Sequence, residues 1–461
     1  MKVLLTKIPS RTHTSNSLIR STLFSCSSQP SFIGLRRFSS DNKHQEPQSP
    51  VQAETPKKKQ HTIDSRVWPI ALSTLAGGTS VGVIFPVLPI FAKDLGLSSQ
   101  DFGLVISIVG LTRLLLNVPA AWLTDRYGRR FTLLGGPALS ALGMSLTATS
   151  QSLFELVSYR FITGMGGSLQ MTGAQMYLAD ISTPENRART MAPMGIAFAT
   201  GATIGPGLGG YLSEHFGYRV PFIFVSSAIA VIAMINYKLL PETRKKIPSL
   251  EERSNKKLKD EFKSVIQQWR PLLQNKDMRS VLLLHLTYWC VASGCTWTLL
   301  PILATDKLQL SASELGGLFA FMSAISIIGL GPSAWVSDKF GRKATILPAA
   351  MIGATALSVM PYAGTHEALF GLVGAWAVGA TLFQSNPSAF VSDMTTEETR
   401  GQALALLRSA GDAGLFFGAG GFGALSYATS PTFAFSFASV ALLAAATNFV
   451  RPFSRLQNVS K

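Results

Sequence analysis

Charge is what this chain has little of. Of 461 residues only 14% are Asp, Glu, Lys or Arg, while 47% are hydrophobic, against a charged share of about 25% in soluble domains. So apolar a chain belongs in a bilayer. Cysteine is scarce as well. Cys26, Cys290 and Cys295 are the three; they offer neither a disulfide framework nor zinc spacing, so Cys290 and Cys295 read as small packing residues. No GxxxxGK[ST] phosphate loop occurs, which argues against ATP as an energy source. With no Ser-His-Asp or metal-ligand constellation either, we expect no enzyme, no cofactor and no metal. The formal charge of +16 does not imply a nucleic-acid partner, because the basic residues sit in short loops, in the N-terminal tail and in a central segment. That placement is what membrane topology demands.

Acid is missing from the first 40 residues, which hold Lys2, Lys7, Arg11, Arg20, Arg36, Arg37 and ten serines. An Arg- and Ser-rich, acid-poor start without a long apolar core predicts an organelle transit peptide over 1–38. Arg36-Arg37-Phe38-Ser39 fits a matrix-protease pattern and favours the mitochondrial inner membrane over the plastid envelope. Residues 39–66 are polar and expected to be disordered.

From Val67 onward come hydrophobic runs long enough to cross a core of about 30 Å, which takes about 20 helical residues. They fall near 67–92, 102–124, 131–148, 152–179, 189–212, 219–239, 281–304, 313–336, 344–362, 367–390, 402–426 and 430–450. The pattern is six spans (67–239), a charged central loop (240–280), six spans (281–450) and a short tail (451–461). Within the loop, 250–269 is expected to form an amphipathic surface helix. The fold class is therefore an all-α membrane protein of twelve helices in two six-helix halves.

The halves are copies. PAAWLTDRYGRR at 119–130 returns as PSAWVSDKFGRK at 332–343, an offset of 332 − 119 = 213. DISTPENRAR from Asp180 returns as DMTTEETRGQ from Asp393 at the same offset, 393 − 180 = 213. Such self-similarity is the mark of a duplicated transporter-like fold. The basic residues cluster on one side of twelve spans, so the positive-inside rule places both termini and the repeated loops on the matrix or stromal side.

These residues carry a resemblance: from about 67 to 450 the chain resembles the major facilitator superfamily, with the repertoire of its drug and metabolite proton antiporters. The loop after the second span is similar to that family's Gly-x-Leu-x-Asp-Arg-x-Gly-Arg-Arg/Lys signature, with Ala121 and Ala334 at the usual glycine. The resemblance implies that Asp125 caps the eleventh span across the interface and that Asp125, Arg129 and Asp180 form a charge relay holding an outward-open state. Asp338 and Arg342 are their second copies. Arg129 and Arg130 also serve as topology determinants. Arg160, with Gly164 and Gly166, resembles a fourth-span motif linked in proton-coupled members to proton transfer; the matching second-half position is Val373 (160 + 213), and an interfacial Arg snorkelling at a helix end is the other reading. Gly205-Pro206 in GATIGPGLGG resembles the antiporter motif of the fifth span and favours antiport over uniport or symport. Its glycines are expected to pack against the eighth span.

Three charges lie deep in spans: Arg113, Arg408 and Asp412. Intramembrane ions are costly and by default paired and functional. Arg113 stands twelve residues from Asp125, and Asp412 twelve from Arg400, so both sit about 18 Å in at 1.5 Å per residue. We expect Arg113 to pair with Asp412, Arg408 to compete for it, and protonation of Asp412 to release the pair. His285 is a further proton-coupling candidate, or else a hydrogen-bonded packing residue. Gln170, Gln175 and Tyr177 on the fourth span, Tyr288 on the seventh, and Gln384 and Asn386 on the tenth are candidates for the substrate cavity. Their neutrality points to a neutral, amphipathic or weakly charged small organic solute. The expected partners are that solute, protons and the lipid bilayer, with a monomer as the working unit. A facilitator, a symporter or a flux-less receptor is the alternative.

Overall fold

The computed structural model describes residues 64–183, 186–243 and 258–450. The transit-peptide expectation, nearly all of 39–66 and the tail at 451–461 lie outside the described residues. Six long helices come first: α1 (Val67–Asp94), α2 (Ser99–Tyr127), α3 (Arg129–Thr149), α4 (Leu153–Asp180), α5 (Arg187–Phe216) and α6 (Val220–Leu239). A shorter helix α7 (Leu258–Gln274) precedes six more: α8 (Lys276–Asp306), α9 (Ala312–Phe340), α10 (Arg342–Tyr362), α11 (His366–Asp393), α12 (Glu397–Ala428) and α13 (Pro431–Val450). No strand occurs among the described residues. Among the described residues, nine of the long helices are apolar enough to cross a membrane by length and composition. The other three, α4, α5 and α12, fall short because they carry what the interior needs: Arg160, Gln170 and Gln175, a run of glycines, and Arg408 with Asp412.

Duplication is visible in the helix ends. Ser98 and Asp101 form a capping box at the start of α2, and Ser311 and Glu314 repeat it at the start of α9, the same offset of 213 (311 − 98). Each satisfies two amides that the first helical turn leaves free. At their other ends α2 and α9 stop on Gly128 (φ +97°) and Gly341 (φ +90°). Only glycine takes that conformation at no steric cost, which lets the next helix begin one residue later.

Lipid gives helices no hydrophobic reason to associate, so close backbone packing must do it. A Cβ at Gly201 would stand 2.1 Å from the Leu75 carbonyl oxygen, and one at Gly205 2.7 Å from that of Thr79. Gly201, Gly205 and Gly209 of α5 thus face α1 of its own half, not the eighth span as expected, while Gly210 packs on that span as expected. That span, α9, is also met by Pro206, whose carbonyl oxygen would be 2.5 Å from a Cβ at Gly316. The second half repeats the device, with Gly414 and Gly418 of α12 seated on the backbone of α8 at Leu286 and Cys290.

Of the amphipathic helix expected at 250–269, the described part is helical and runs Leu258–Gln274, while 250–257 lie outside the described residues. This helix touches both α2 and α12, with Trp269 and Leu272 packed on the core of the second half.

Candidate functional site

Between the halves lies a cavity of about 510 Å³, within the range of about 300–1,000 Å³ usual for small-molecule sites. One wall is aromatic. α8 is interrupted by a π-helical segment, Ala292–Leu299, a feature common at functional positions; Thr296 and Trp297 reach the cavity from it. Trp297 meets Phe85 of α1 at a centroid distance of 5.3 Å and Trp289 at 5.7 Å. A ring pair from opposite halves therefore closes one side.

Gln170, Tyr288 and Gln384 line this cavity, as their positions in the sequence suggested. Gln170 donates to the carbonyl (2.8 Å) and hydroxyl (3.0 Å) of Ser73, which ties α4 to α1. Gln175, Tyr177 and Asn386 are not in its wall. Tyr177 is fully buried in a cluster with Val67, Ile70 and Leu133. Asn386 donates to Thr345 (3.0 Å) and accepts from Ser337, holding α9, α10 and α11 together. His285 also stays out of the wall; its Nε2 accepts the Trp289 indole N–H at 3.1 Å, beside Gly411. These four face neighbouring helices because a 3.6-residue period gives depth along a helix but not which side turns to the bundle axis.

The charged residues converge. Arg113 Nε stands 3.3 Å from Asp412 Oδ1, joining α2 to α12 across the halves as expected from their matched depth. Asn117, one turn along α2, donates to Asp412 Oδ2 at 2.8 Å; sequence reasoning missed it, since an Asn in a span gives no charge signal. Arg408 makes no hydrogen bond or close ion pair to Asp412 among the described contacts, although it lies within reach of that carboxylate's charge. It reaches the other way and donates to Gln175 of α4 at 3.0 Å. Arg160 is only 5% exposed, lines the cavity, and has no hydrogen bond or ion pair among the described residues. The neutral lining read from the sequence is therefore corrected: three guanidiniums, Arg113, Arg160 and Arg408, face one space.

Around the cavity the two ends of the bundle differ. At the end away from the repeated loops, Cβ atoms at Gly103 and Gly110 would stand 2.4 Å from the Ala419 carbonyl oxygen and 2.7 Å from the Phe416 amide nitrogen. There too Glu214, in the last turn of α5, accepts the Ser313 amide of α9 at 3.0 Å, an acidic cap on a helix N-terminus of the other half. The resemblance placed an inter-half cap at the opposite end, from Asp125 onto the eleventh span. Asp125 instead pairs with Arg129 (3.0 Å).

The relay itself is assembled within the first half. Arg129 bridges Asp125 and Asp180 (2.8 Å), and Thr243 adds a hydrogen bond to Asp180 at 3.0 Å. Glu242, just past α6, accepts the backbone amides of Arg129 and Arg130, each at 3.0 Å. Gly128 has no side chain to cap α3, so this borrowed carboxylate does it. Glu242 was overlooked in the sequence, although an acid following the sixth span beside a capless helix start was the available signal.

Comparison with known proteins agrees with this geometry. A family model described as the Major Facilitator Superfamily matches residues 70–329 and 290–458. The chain is 30% identical over 155 residues to the quinolone resistance protein NorA of Staphylococcus aureus, a match covering 34% of this chain and 39% of NorA; it thus spans about two fifths of that relative. It is 22% identical to an uncharacterised MFS-type transporter, MJ1560, of Methanocaldococcus jannaschii over 79% of this chain and 92% of that one. Among solved structures, a bacterial homologue of the human lysosomal transporter Spinster superposes with a TM-score of 0.69 at 15% identity, covering 83% of this chain and 95% of that one. The chain belongs to the major facilitator superfamily of multi-pass membrane transporters.

Proposed function

We propose that the protein is a secondary active carrier that moves a small organic solute by alternating access, with proton antiport as its coupling mode. The observation that carries this is Asp412: a buried carboxylate at the seam between the halves, held by Arg113 and Asn117 of the opposite half. Deprotonated, it binds α12 to α2 through a charge-assisted contact. A proton on Asp412 removes the charge that attracts Arg113, weakens the seam and shifts the balance toward the alternative arrangement of the halves. The Gly205-Pro206 motif and the partial likeness to NorA support efflux as the direction. An Arg-rich, acid-free 1–38 supports a mitochondrial inner-membrane location with both termini on the matrix side, and imaging a fusion of residues 1–66 tests that separately.

Proteoliposomes with an imposed pH gradient and a fluorescent quinolone as probe test the mechanism. Wild type is expected to accumulate the probe against its gradient, and Asp412→Asn to lose the dependence on ΔpH while retaining equilibration. Uptake by wild type that ignores ΔpH would reassign the chain to facilitated diffusion.

A further inference from the structure

The three cavity guanidiniums are not equally satisfied. Arg113 has Asp412 and Arg408 has Gln175. Arg160 has neither an acid nor a hydrogen-bond acceptor among the described residues, although it is almost wholly enclosed. Among the described residues no Asp, Glu, Lys or His lies in the cavity wall; there, three cations against the one carboxylate behind Arg113 leave an excess of +2 (3 − 1). Two further polar atoms there also lack partners, Ser168 Oγ on the side of Arg160 and Thr296 Oγ1 on the facing π segment. The ring pair of Phe85 and Trp297, with Trp289 edge-on, lines the same cavity.

A buried guanidinium without a counter-charge is unfavourable unless something arrives to pair it. A cationic solute would add to the excess, and a neutral one would leave Arg160 unpaired. An acidic group meets the planar fork of Arg160 with two parallel N–H donors, and the aromatic wall takes an apolar body. We propose that Arg160 is the anchor for the acidic group of an amphipathic organic anion, an aromatic carboxylate or one of similar shape, whose ring packs against Phe85 and Trp297. The inference rests on reading this cavity as the carrier's substrate site and supplies that site with a substrate class. It also assigns Arg160 a role on the solute, distinct from proton transfer.

The test is isothermal titration calorimetry on the full chain in neutral detergent. The probes are 2-naphthoate, the neutral 2-naphthalenemethanol and the cationic 2-naphthylmethylamine. Wild type is expected to bind naphthoate saturably and at least tenfold more tightly than either analogue. Arg160→Gln is expected to erase that preference, Arg160→Lys to retain part of it, and Trp297→Ala to weaken naphthoate and the alcohol alike. Arg160→Gln should melt no earlier than wild type, because it removes an unpaired buried charge. Equal or tighter binding of the alcohol or the amine, no naphthoate binding, or a preference that survives Arg160→Gln would each overturn the proposal. Displacement of naphthoate by inorganic phosphate at equal concentration would overturn its organic half. The carrier reading is judged apart from this: ΔpH-driven flux of a cation would sink the anion site alone, and tight naphthoate binding without flux would sink the carrier alone.

Discussion

The two repeated loops carry nearly the same residues yet are fastened differently. In both, one arginine bridges two aspartates: Arg129 with Asp125 and Asp180, Arg342 with Asp338 and Asp393. The first arginine is 12% exposed and its partners 35% and 29%, whereas the second is 29% exposed with partners at 65% and 61%. The first copy is also bound to the start of the central loop through Glu242 and Thr243. The second copy has Ser337 and Asn386 beneath it and a Lys343–Asp277 pair at 3.3 Å. Duplication thus conserved a sequence while burial set how much each copy can contribute. A charge pair shielded from water is worth more than the same pair in it.

Removing each arginine should separate the copies most sharply. Arg129→Ala leaves two carboxylates facing each other in a partly shielded site, and we expect it to lose on the order of 2 kcal/mol, as hydrogen bonds to charged groups go. Arg342→Ala, with its partners more than half exposed, should cost under about 1 kcal/mol. Thermal unfolding of the purified variants measures both. In transport, Asp125→Asn is expected to impair flux more than Asp338→Asn. Equal effects on flux would mean that the two loops work as equivalents despite their different burial.

How much of this was legible in the sequence follows from what the sequence encodes. Hydrophobic runs and a fixed offset set the number of helices and their duplication, since bilayer thickness and backbone satisfaction leave little choice. Matched depth foretold the Arg113–Asp412 pair because depth is arithmetic along one helix. Rotation about the helix axis is not, and so Arg160, Arg113 and Arg408 could not be seen to share a cavity, nor His285 and Asn386 to turn away from it. Gly205 misled in the same manner: its spacing promised a close helix neighbour, and only the structure shows that the neighbour is α1. Asp125 differs again. Its cap on the eleventh span was an expectation for one arrangement of the halves, and in the arrangement here the analogous inter-half cap belongs to Glu214.

Glu242→Gln probes the fastening that only the first copy has. One oxygen is replaced by an amide that cannot accept, and the negative charge at the N-terminus of α3 is lost, so we expect a loss of about 1 kcal/mol. A thermal shift as large as that of Arg129→Ala would move the centre of the first loop from the relay to the cap.

The smallest effect should come from the ion pair at the far end of the bundle. Lys93 and Asp306 meet across the halves at 2.9 Å, with side chains 64% and 55% exposed. Holding two long side chains in one geometry costs entropy, and water screens the attraction, so Lys93→Ala should change stability by no more than about 0.5 kcal/mol. Glu214 sits at the same end, but its partner is a backbone amide already fixed at a helix start. Glu214→Ala gives up a contact that needs little ordering and should exceed Lys93→Ala in thermal shift, on the scale of about 1 kcal/mol for a lost helix cap. If the lysine change proves the larger, the far end is held by charge pairing between side chains, and the cap is incidental to it.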